Sequence, residues 1–433
     1  MSIRLLVCLA VVIPTVAVCV LSFLSATEKF QTSSEAERLT KAVYLANGIS
    51  SVIHELQIER GKTVGLITSG FKQKNKNAVQ AQRGKVDAAA SAFKEMLAAH
   101  EIESELPEIV KWLTPVLQDL GERTAIRSGV DAQSATVPHV AKYYTTVIDE
   151  MITVIGHAVA IAPNVDISHR MSSFETLIRA KEHGGLERAF GAALFNMAAT
   201  GEVSQARFNA YLSRLTGERL TLHRFRTEAL PEHIAWLDEA LKIPETQQVQ
   251  EWRKVLADIN VTRDGQGING AEWFGTATTR LNAIKSVEDR IGTQTAELSL
   301  NEAEAIRSIA YLKLIVSILV FLLCSGLAVV AITRLATGMR STLNDLKLLS
   351  EGAFDSTQEF PGRMDEFGQI NSSLHQVVGS MSQWAKSAGL MSKGSLDAEF
   401  KTMSALDILG MALESMRQRL ELMMVSATDV IRN

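Results

Sequence analysis

Three cysteines, eight prolines and 6% aromatic residues in a chain of 433 leave little material for several kinds of protein. Cys8, Cys19 and Cys324 all fall in apolar runs. None lies in the long middle region, so neither a disulfide framework nor thiol catalysis is available there. The nine histidines are scattered and none falls into HExxH or another metal-ligand spacing, so no metal centre is expected. There is no glycine-rich phosphate loop after a strand, no nucleophile elbow, and hardly any strand pattern at all. No enzyme and no cofactor is therefore expected. The net charge is −4, with no basic excess, which excludes nucleic acid as a partner. What remains is rich in Ala, Leu, Glu and Lys, a composition that favours helices, and the fold expected is all-α.

Two uncharged runs organise the chain. Leu314–Thr333 (LIVSILVFLLCSGLAVVAIT) has 20 residues and Leu5–Ala26 has 22. At about 1.5 Å per helical residue either covers about 30 Å, the hydrocarbon core of a bilayer. The first run is longer than a signal-peptide core, and Leu24 stands where cleavage after Ala26 would need a small residue, so an uncleaved membrane helix is expected. Pro14 within it is tolerable in a membrane. Arg4 precedes the first run, and Arg334 and Arg340 follow the second. By the excess of positive charge on cytoplasmic flanks, both outer ends lie inside the cell and the middle region outside. This organisation divides the chain into a first span at 5–26, an extracytoplasmic region at 27–308 and a second span at 309–333. Modules at 334–384 and 385–424 and a tail at 425–433 follow. In a bacterium the location is the inner membrane, with 27–308 periplasmic.

Periodicity in the outer region predicts eight helices: Ser33–Thr68, Asn77–His100, Pro107–Arg127 and Val137–Ile161, a break at Ala162-Pro163-Asn164, then Ile167–Ala199, Ser204–Ala229, Pro231–Ile259 in two pieces around Pro244, and one from Ala271 running into the second span. Two stacked antiparallel four-helix bundles are the economical arrangement. Each half carries a Glu-Arg pair beside small residues in its long first helix, ELQIERGKTVG from Glu55 and KEHGGLERA from Lys181. Arg60 extends the apolar stripe of Leu45, Ile49, Val52, Ile53 and Leu56, whereas Arg188 lies well round its helix from Leu186, Phe190, Ala193 and Met197. A buried guanidinium needs a partner. Glu55, Glu59, Glu182 and Glu187 are within reach as internal ion-pair partners, and a bound anion is the alternative. His183 beside Glu182 reads as solvated or structural.

These stretches, with Tyr143-Tyr-Thr-Thr-Val-Ile and Glu272-Trp273-Phe through Ile284, resemble the nitrate and nitrite sensing domain over about residues 40–300. The resemblance implies paired four-helix bundles with a small anion held between arginines, at the positions of Arg60 and Arg188. Nitrate is planar with three acceptor oxygens, which suits the planar fork of arginine.

The tail repeats itself with an offset of 42: Leu349-Ser-Glu-Gly352 falls on Met391-Ser-Lys-Gly394, and Asp365-Glu366-Phe367-Gly368 on Asp407-Ile408-Leu409-Gly410. The spacing from Gly352 to Gly368 and from Gly394 to Gly410 is 16 in both. Each copy reads as helix, connector, helix. Phe354 and Phe360 are apolar connector residues, and Asp365 is placed to cap the second helix. Two amphipathic helices cannot bury their seams alone, so a parallel homodimer is expected. The pattern is similar to tandem HAMP signal-relay modules, with Gly352, Asp365, Glu366, Gly368 and Gly394 as the relay positions that the likeness implies. It departs at Leu335, where a proline commonly follows the membrane helix, and at Ile408, which replaces the glutamate and puts the second junction's geometry in question. His375 invites a kinase reading, but no ATP-binding segment follows. After Leu420 there is no output module, so output is expected on an unidentified cytoplasmic partner chain, or the reading frame is cut short. The function expected is a transmembrane receptor that binds a small anion outside and relays inward, in the manner of chemotaxis receptors. The alternative is a non-sensing protein that docks onto full-length receptors and dampens them.

Overall fold

The computed structural model describes residues 3–161, 164–353, 365–397 and 400–432. Every described element is an α-helix. The chain divides into two compact units, Ser25–Lys313 and a second made of Met1–Leu24 with Leu314–Asn433. Among the described residues two helices are long and apolar enough to cross a membrane: α1 (Ile3–Thr68) and α11 (Gly270–Ser350). Each runs without interruption from an apolar stretch into the larger unit.

Within that unit α2 (Gln73–Ala99), α3 (Ile102–Glu105), α4 (Pro107–Gly121), α5 (Arg123–Asp131) and α6 (Val137–Ala160) follow α1. Then come α7 (Val165–Ala198), α8 (Gln205–Glu228), α9 (Pro231–Ala240) and α10 (Pro244–Thr262). The starts have local causes. Pro107, Pro231 and Pro244 each sit at the first helical position, where a missing N–H costs nothing. Thr136 and Asn164 cap α6 and α7, Asn164 accepting from the N–H groups of Asp166 and Ile167 at 2.9 and 3.2 Å. The expected third helix, Pro107–Arg127, is broken after Gly121. The break starts a new helix, α5, whose Arg123 and Arg127 reach Asp87 and Glu59, so polar pairing overrides a continuous apolar period. Residues 162 and 163 of the expected break after α6 lie outside the described residues.

The larger apolar core joins α1, α2, α4, α6, the first part of α7 and the middle of α11, around Leu45, Ile49, Ile53, Leu56, Phe93 and Tyr144. A smaller one joins the last turns of α7 to α8, α10 and α11 around Phe195, Tyr211, Leu256, Ile259 and Trp273. Along α7 the two cores are separated by a polar stretch. Lys181, Glu182, Glu187 and Arg188 are all at most 4% exposed. The sequence places Arg188 off the apolar face of its helix, and the structure corrects the implication that it faces water. Helices surround α7 on nearly every side here, so being off one apolar face is not being exposed.

In the smaller unit α11 ends at Ser350, and α12 (Glu366–Met391) and α13 (Ile408–Arg432) follow. Gly352 and Gly394 both adopt positive φ, 78° and 89°, the conformation that stops a helix most cheaply at glycine. Asp365 caps α12 by accepting from the Gly368 N–H at 3.1 Å. Asp407 accepts from Gly410 at 2.9 Å in the same way, so the cap survives Ile408 because it needs the aspartate and the glycine, not the glutamate between them. Phe354, Asp355 and Phe360 lie outside the described residues.

The fully buried Trp273 packs its indole where any side chain on Gly191 would stand, 2.6 Å from that position, and donates Nε1–H to the Arg188 carbonyl at 2.9 Å. Trp273→Ala is expected to cost about 3–5 kcal/mol, read as a lowered midpoint in chemical denaturation.

Candidate functional site

The two Glu-Arg pairs meet at the middle of the larger unit, and they divide their labour. Each glutamate pairs with side chains of its own half. Glu59, fully buried, accepts from Arg127 at 2.7 and 2.8 Å and from the Tyr144 hydroxyl at 2.8 Å. Glu187 accepts from Arg253 Nε at 2.8 Å, and Arg253 also pairs with Glu218, which is bound in turn by Arg280 at 2.5 Å. Burial by itself would raise the Glu218 carboxyl, but Arg280 and Arg253 outweigh it and hold the group at about 2. Each arginine turns the other way, toward the opposite half. A Cβ on Gly185 would stand 3.6 Å from Arg60 Nη2, and one on Gly61 would stand 3.6 Å from Arg188 Nη2. The relation is reciprocal: each guanidinium end lies over a glycine of the other's helix.

The two arginines differ in what neutralises them. Arg60 is gripped by Glu182 in a two-pronged ion pair, Nη1 to Oε1 at 2.6 Å and Nη2 to Oε2 at 3.0 Å. It also donates to Thr145 Oγ1 at 2.8 Å, while Gln57 donates to Glu182 Oε2 at 2.8 Å. That pair realises the internal-partner reading of the sequence. Arg188 has no such partner. No carboxylate pairs with it among the described residues, its Nε is buried without an acceptor, and its hydrogen bond runs from Nη1 to Thr278 Oγ1 at 2.8 Å. Its guanidinium carbon lies 4.3 Å from the centre of the Phe274 ring. Burial first, and then the nearby Arg60, push the Arg188 guanidinium down to about 10. It still carries its charge at neutral pH. At this level the Arg60–Glu182 pair is neutral and Arg188 leaves one positive charge over. A buried, uncompensated cation costs several kcal/mol, and a monovalent anion accepting from the unserved Nε of Arg188 would remove that cost.

A second polar group lies on the same side of α7 two turns earlier, where Lys181 meets Glu288 at 2.7 Å and Lys285 meets it at 3.0 Å. Ser50 of α1 hydrogen-bonds Glu288 as well. Burial alone would raise Glu288, but the two lysines keep it below the usual carboxylate range. His54 is pulled down to about 3, first by burial and then by Lys181 and Lys285, so it stays neutral. His183, flagged beside Glu182, packs where a side chain on Gly217 would stand and is pushed down mainly by burial.

Sequence reasoning missed Thr145, Thr278 and Phe274 around the arginines, and the partners Arg253, Glu218 and Arg280. Tyr143–Thr145 and Trp273–Phe274 are recognisable as segments of the resemblance, but nothing in the linear order says that a threonine of α6 serves one arginine and a threonine of α11 the other. Of the relay positions, Gly352, Asp365, Glu366, Gly368 and Gly394 all fall at the helix junctions of the smaller unit.

The profile of a family described as nitrate and nitrite sensing matches residues 51–296, more than half of the chain. The chain belongs to the nitrate and nitrite sensing family. It is 24% identical over 262 residues to a nitrate regulatory protein of Klebsiella oxytoca, an alignment covering 59% of this chain and 62% of that protein. The solved structure of the NasR transcription antiterminator is similar in fold, with a TM-score of 0.57 at 19% identity, covering 83% of this chain and 98% of that one. The family match spans both Glu-Arg pairs, and it includes Phe274 and Thr278 of α11.

Two outcomes are expected from the charge arrangement. Glu182→Ala leaves Arg60 buried and unpaired and should cost about 3–5 kcal/mol, whereas Arg188→Met removes a lone buried charge and should raise the unfolding midpoint in anion-free buffer. Equilibrium denaturation of the two variants beside the parent checks both. His54 is depressed in the folded chain relative to its ordinary value, so below about pH 6.5 the unfolded chain binds a proton that the folded one refuses. Stability should therefore fall as pH drops from about 6.5 to 5, by up to about 2 kcal/mol from this group. The thermal midpoint of His54→Asn should fall less over that interval.

Proposed function

We propose that the chain is a membrane-anchored sensor that binds a small monovalent oxyanion, nitrate or nitrite, between Arg60 and Arg188. The observation that carries the reading is Arg188: buried, charged, without a carboxylate, and with its Nε edge unserved. A planar oxyanion accepts from Nε–H and Nη2–H of one arginine in two parallel bonds. One net positive charge matches a monoanion, whereas a dianion would leave a buried negative charge in its place. Gly61 and Gly185 keep side chains out of the space between the two guanidinium groups.

In this reading residues 5–26 and 309–333 span the inner membrane and residues 27–308 lie in the periplasm, supported by the two long apolar helices and the flanking arginines. Residues 334–384 and 385–424 act as tandem HAMP-type relay modules, hinged at Gly352 and Gly394, with Glu366 at the first junction and the helix after it capped through Asp365 and Gly368. The repeated Asp-to-Gly cap at Asp365 and Asp407 supports this assignment. The exposed apolar residues Leu343, Leu346, Ile370, Leu390, Met416 and Leu420 suit a parallel homodimer, whose four-helix core would cover them. The relay passes the signal to a cytoplasmic partner, as in chemotaxis-type transduction. Micromolar affinity corresponds to about 8 kcal/mol of net binding, within reach of a two-pronged charged bond in a dry site.

Calorimetry of the full chain in lipid nanodiscs tests the ligand. Nitrate or nitrite should bind the parent, and Arg188→Ala, which deletes two charge-assisted bonds, should weaken binding about 100-fold. An absence of heat in the parent, or unchanged affinity in Arg188→Ala, would sink the reading.

A further inference from the structure

Anion binding at Arg188 has a mechanical consequence written in the contacts around it. Three contacts tie Arg188 to the first turns of α11: the Trp273 indole donates to its carbonyl at 2.9 Å, the Phe274 ring covers its guanidinium, and Thr278 accepts from Nη1 at 2.8 Å. The Phe274 ring is also the group nearest to Gly61 of α1. A Cβ at Gly61 would lie 2.8 Å from Phe274 Cζ and 3.6 Å from Arg188 Nη2. The ring tip and the guanidinium edge thus converge on one point above α1, and a single methyl group there would already press on the ring. An oxyanion is larger than a methyl group. One that binds Nη2 of Arg188 on the side of Gly61 meets the ring.

Further along the same two helices the contacts are of another kind. Asn47 Nδ2 of α1 donates to the Gly292 carbonyl of α11 at 2.9 Å. One turn away Ser50 of α1 hydrogen-bonds to Glu288 and accepts from Lys285 at 3.2 Å. These buried polar bonds hold α1 and α11 in fixed register, since breaking one strands a buried donor or acceptor. Phe274 lies 18 residues before Gly292, about 27 Å along a helix rising 1.5 Å per residue. The wedge and the tie are therefore well separated on two rods, and both rods continue into the apolar spans.

We infer that Phe274 is the positioning residue that converts anion occupancy at Arg188 into movement of α11: the ring is a wedge between Gly61 and Arg188, and the anion drives it out. This rests on the anion reading above. Because Trp273 anchors the adjacent residue, the ring's displacement is transferred to the helix. The polar tie at Asn47 and Gly292 then serves as the pivot, so α1 and α11 separate on the site side and approach each other on the other side.

The test places pairs of spin labels on exposed positions of the full chain in nanodiscs, Thr68 with Thr279 on the site side and Ser34 with Ala305 beyond the tie. Nitrate is the added anion. In the parent the first distance should grow and the second shrink by about 1–2 Å, the size of shift by which packed helices switch. Phe274→Leu, which keeps an apolar side chain but removes the ring, should still bind nitrate by calorimetry and should bind it up to about tenfold more tightly, because a competing cation–ring contact has gone. Its distances should no longer respond. Gly61→Ala should shift the distances toward the nitrate-bound values without any anion. If the parent binds no nitrate, the anion reading fails and the wedge fails with it. If the parent binds nitrate but Phe274→Leu shows the parent's full distance change, or if neither distance moves in the parent, the anion reading stands and the wedge is overturned. Loss of nitrate binding in Phe274→Leu with an unchanged unfolding midpoint would overturn it too, by making the ring part of the binding surface alone.

Discussion

A positive charge buried without its opposite is the constraint around which the larger unit is arranged. Taking a guanidinium out of water costs several kcal/mol unless an anion or a set of acceptors repays it. The molecule meets that demand at Arg60, Arg127, Arg253 and Arg280, each bonded to a buried glutamate. It leaves it unmet at Arg188, where a threonine hydroxyl and a phenyl ring are the compensation found. Among the described residues of this polar layer, Arg188 is thus the buried arginine without a carboxylate. The paired neighbours also have a structural role. They hold α1, α7, α8, α10 and α11 at fixed positions through bonds that cannot slip without stranding a charge.

The duplication of the Glu-Arg pair explains how two halves bring their arginines together. In each copy adjacent residues on one helix point to different sides, the glutamate to partners in its own half and the arginine toward the other half. Two halves built this way bring the arginines to each other's glycines. The symmetry then breaks in a useful manner. α7 supplies Glu182 to Arg60, but among the described residues no carboxylate of α1 pairs with Arg188, and Gly61 is the residue of α1 that stands beside its Nη2. The half that remains unneutralised is the one held by α11, a helix that also carries an apolar span. The same few contacts thus join Arg188 to a helix that continues into an apolar stretch.

The tail shows a different economy. Its junctions rest on a glycine that can turn left-handed and an aspartate that can cap, and both are present twice. Whether glutamate or isoleucine follows the aspartate has no effect on the cap itself. Apolar residues such as Leu343, Leu346, Ile370 and Leu390 stay exposed along these helices.

What the sequence determined by itself was everything governed by local periodicity. Apolar runs of bilayer length, helix starts at Pro107, Pro231 and Pro244, the long unbroken α11 and the tail repeat all depend on neighbours a few residues apart, and the structure has them within a few residues. The break at Gly121 was not legible, because it serves Asp87 and Glu59 from other helices. Arg60 was legible as buried, since it extends a stripe on its own helix. Arg188 was not, since α7 is enclosed by several helices and no single apolar face marks it. The pairing of Arg60 with Glu182 was open in the sequence, and the isolation of Arg188 was invisible. Which charge finds a partner is decided by distances between helices far apart in the chain, and only the packed tertiary structure sets those.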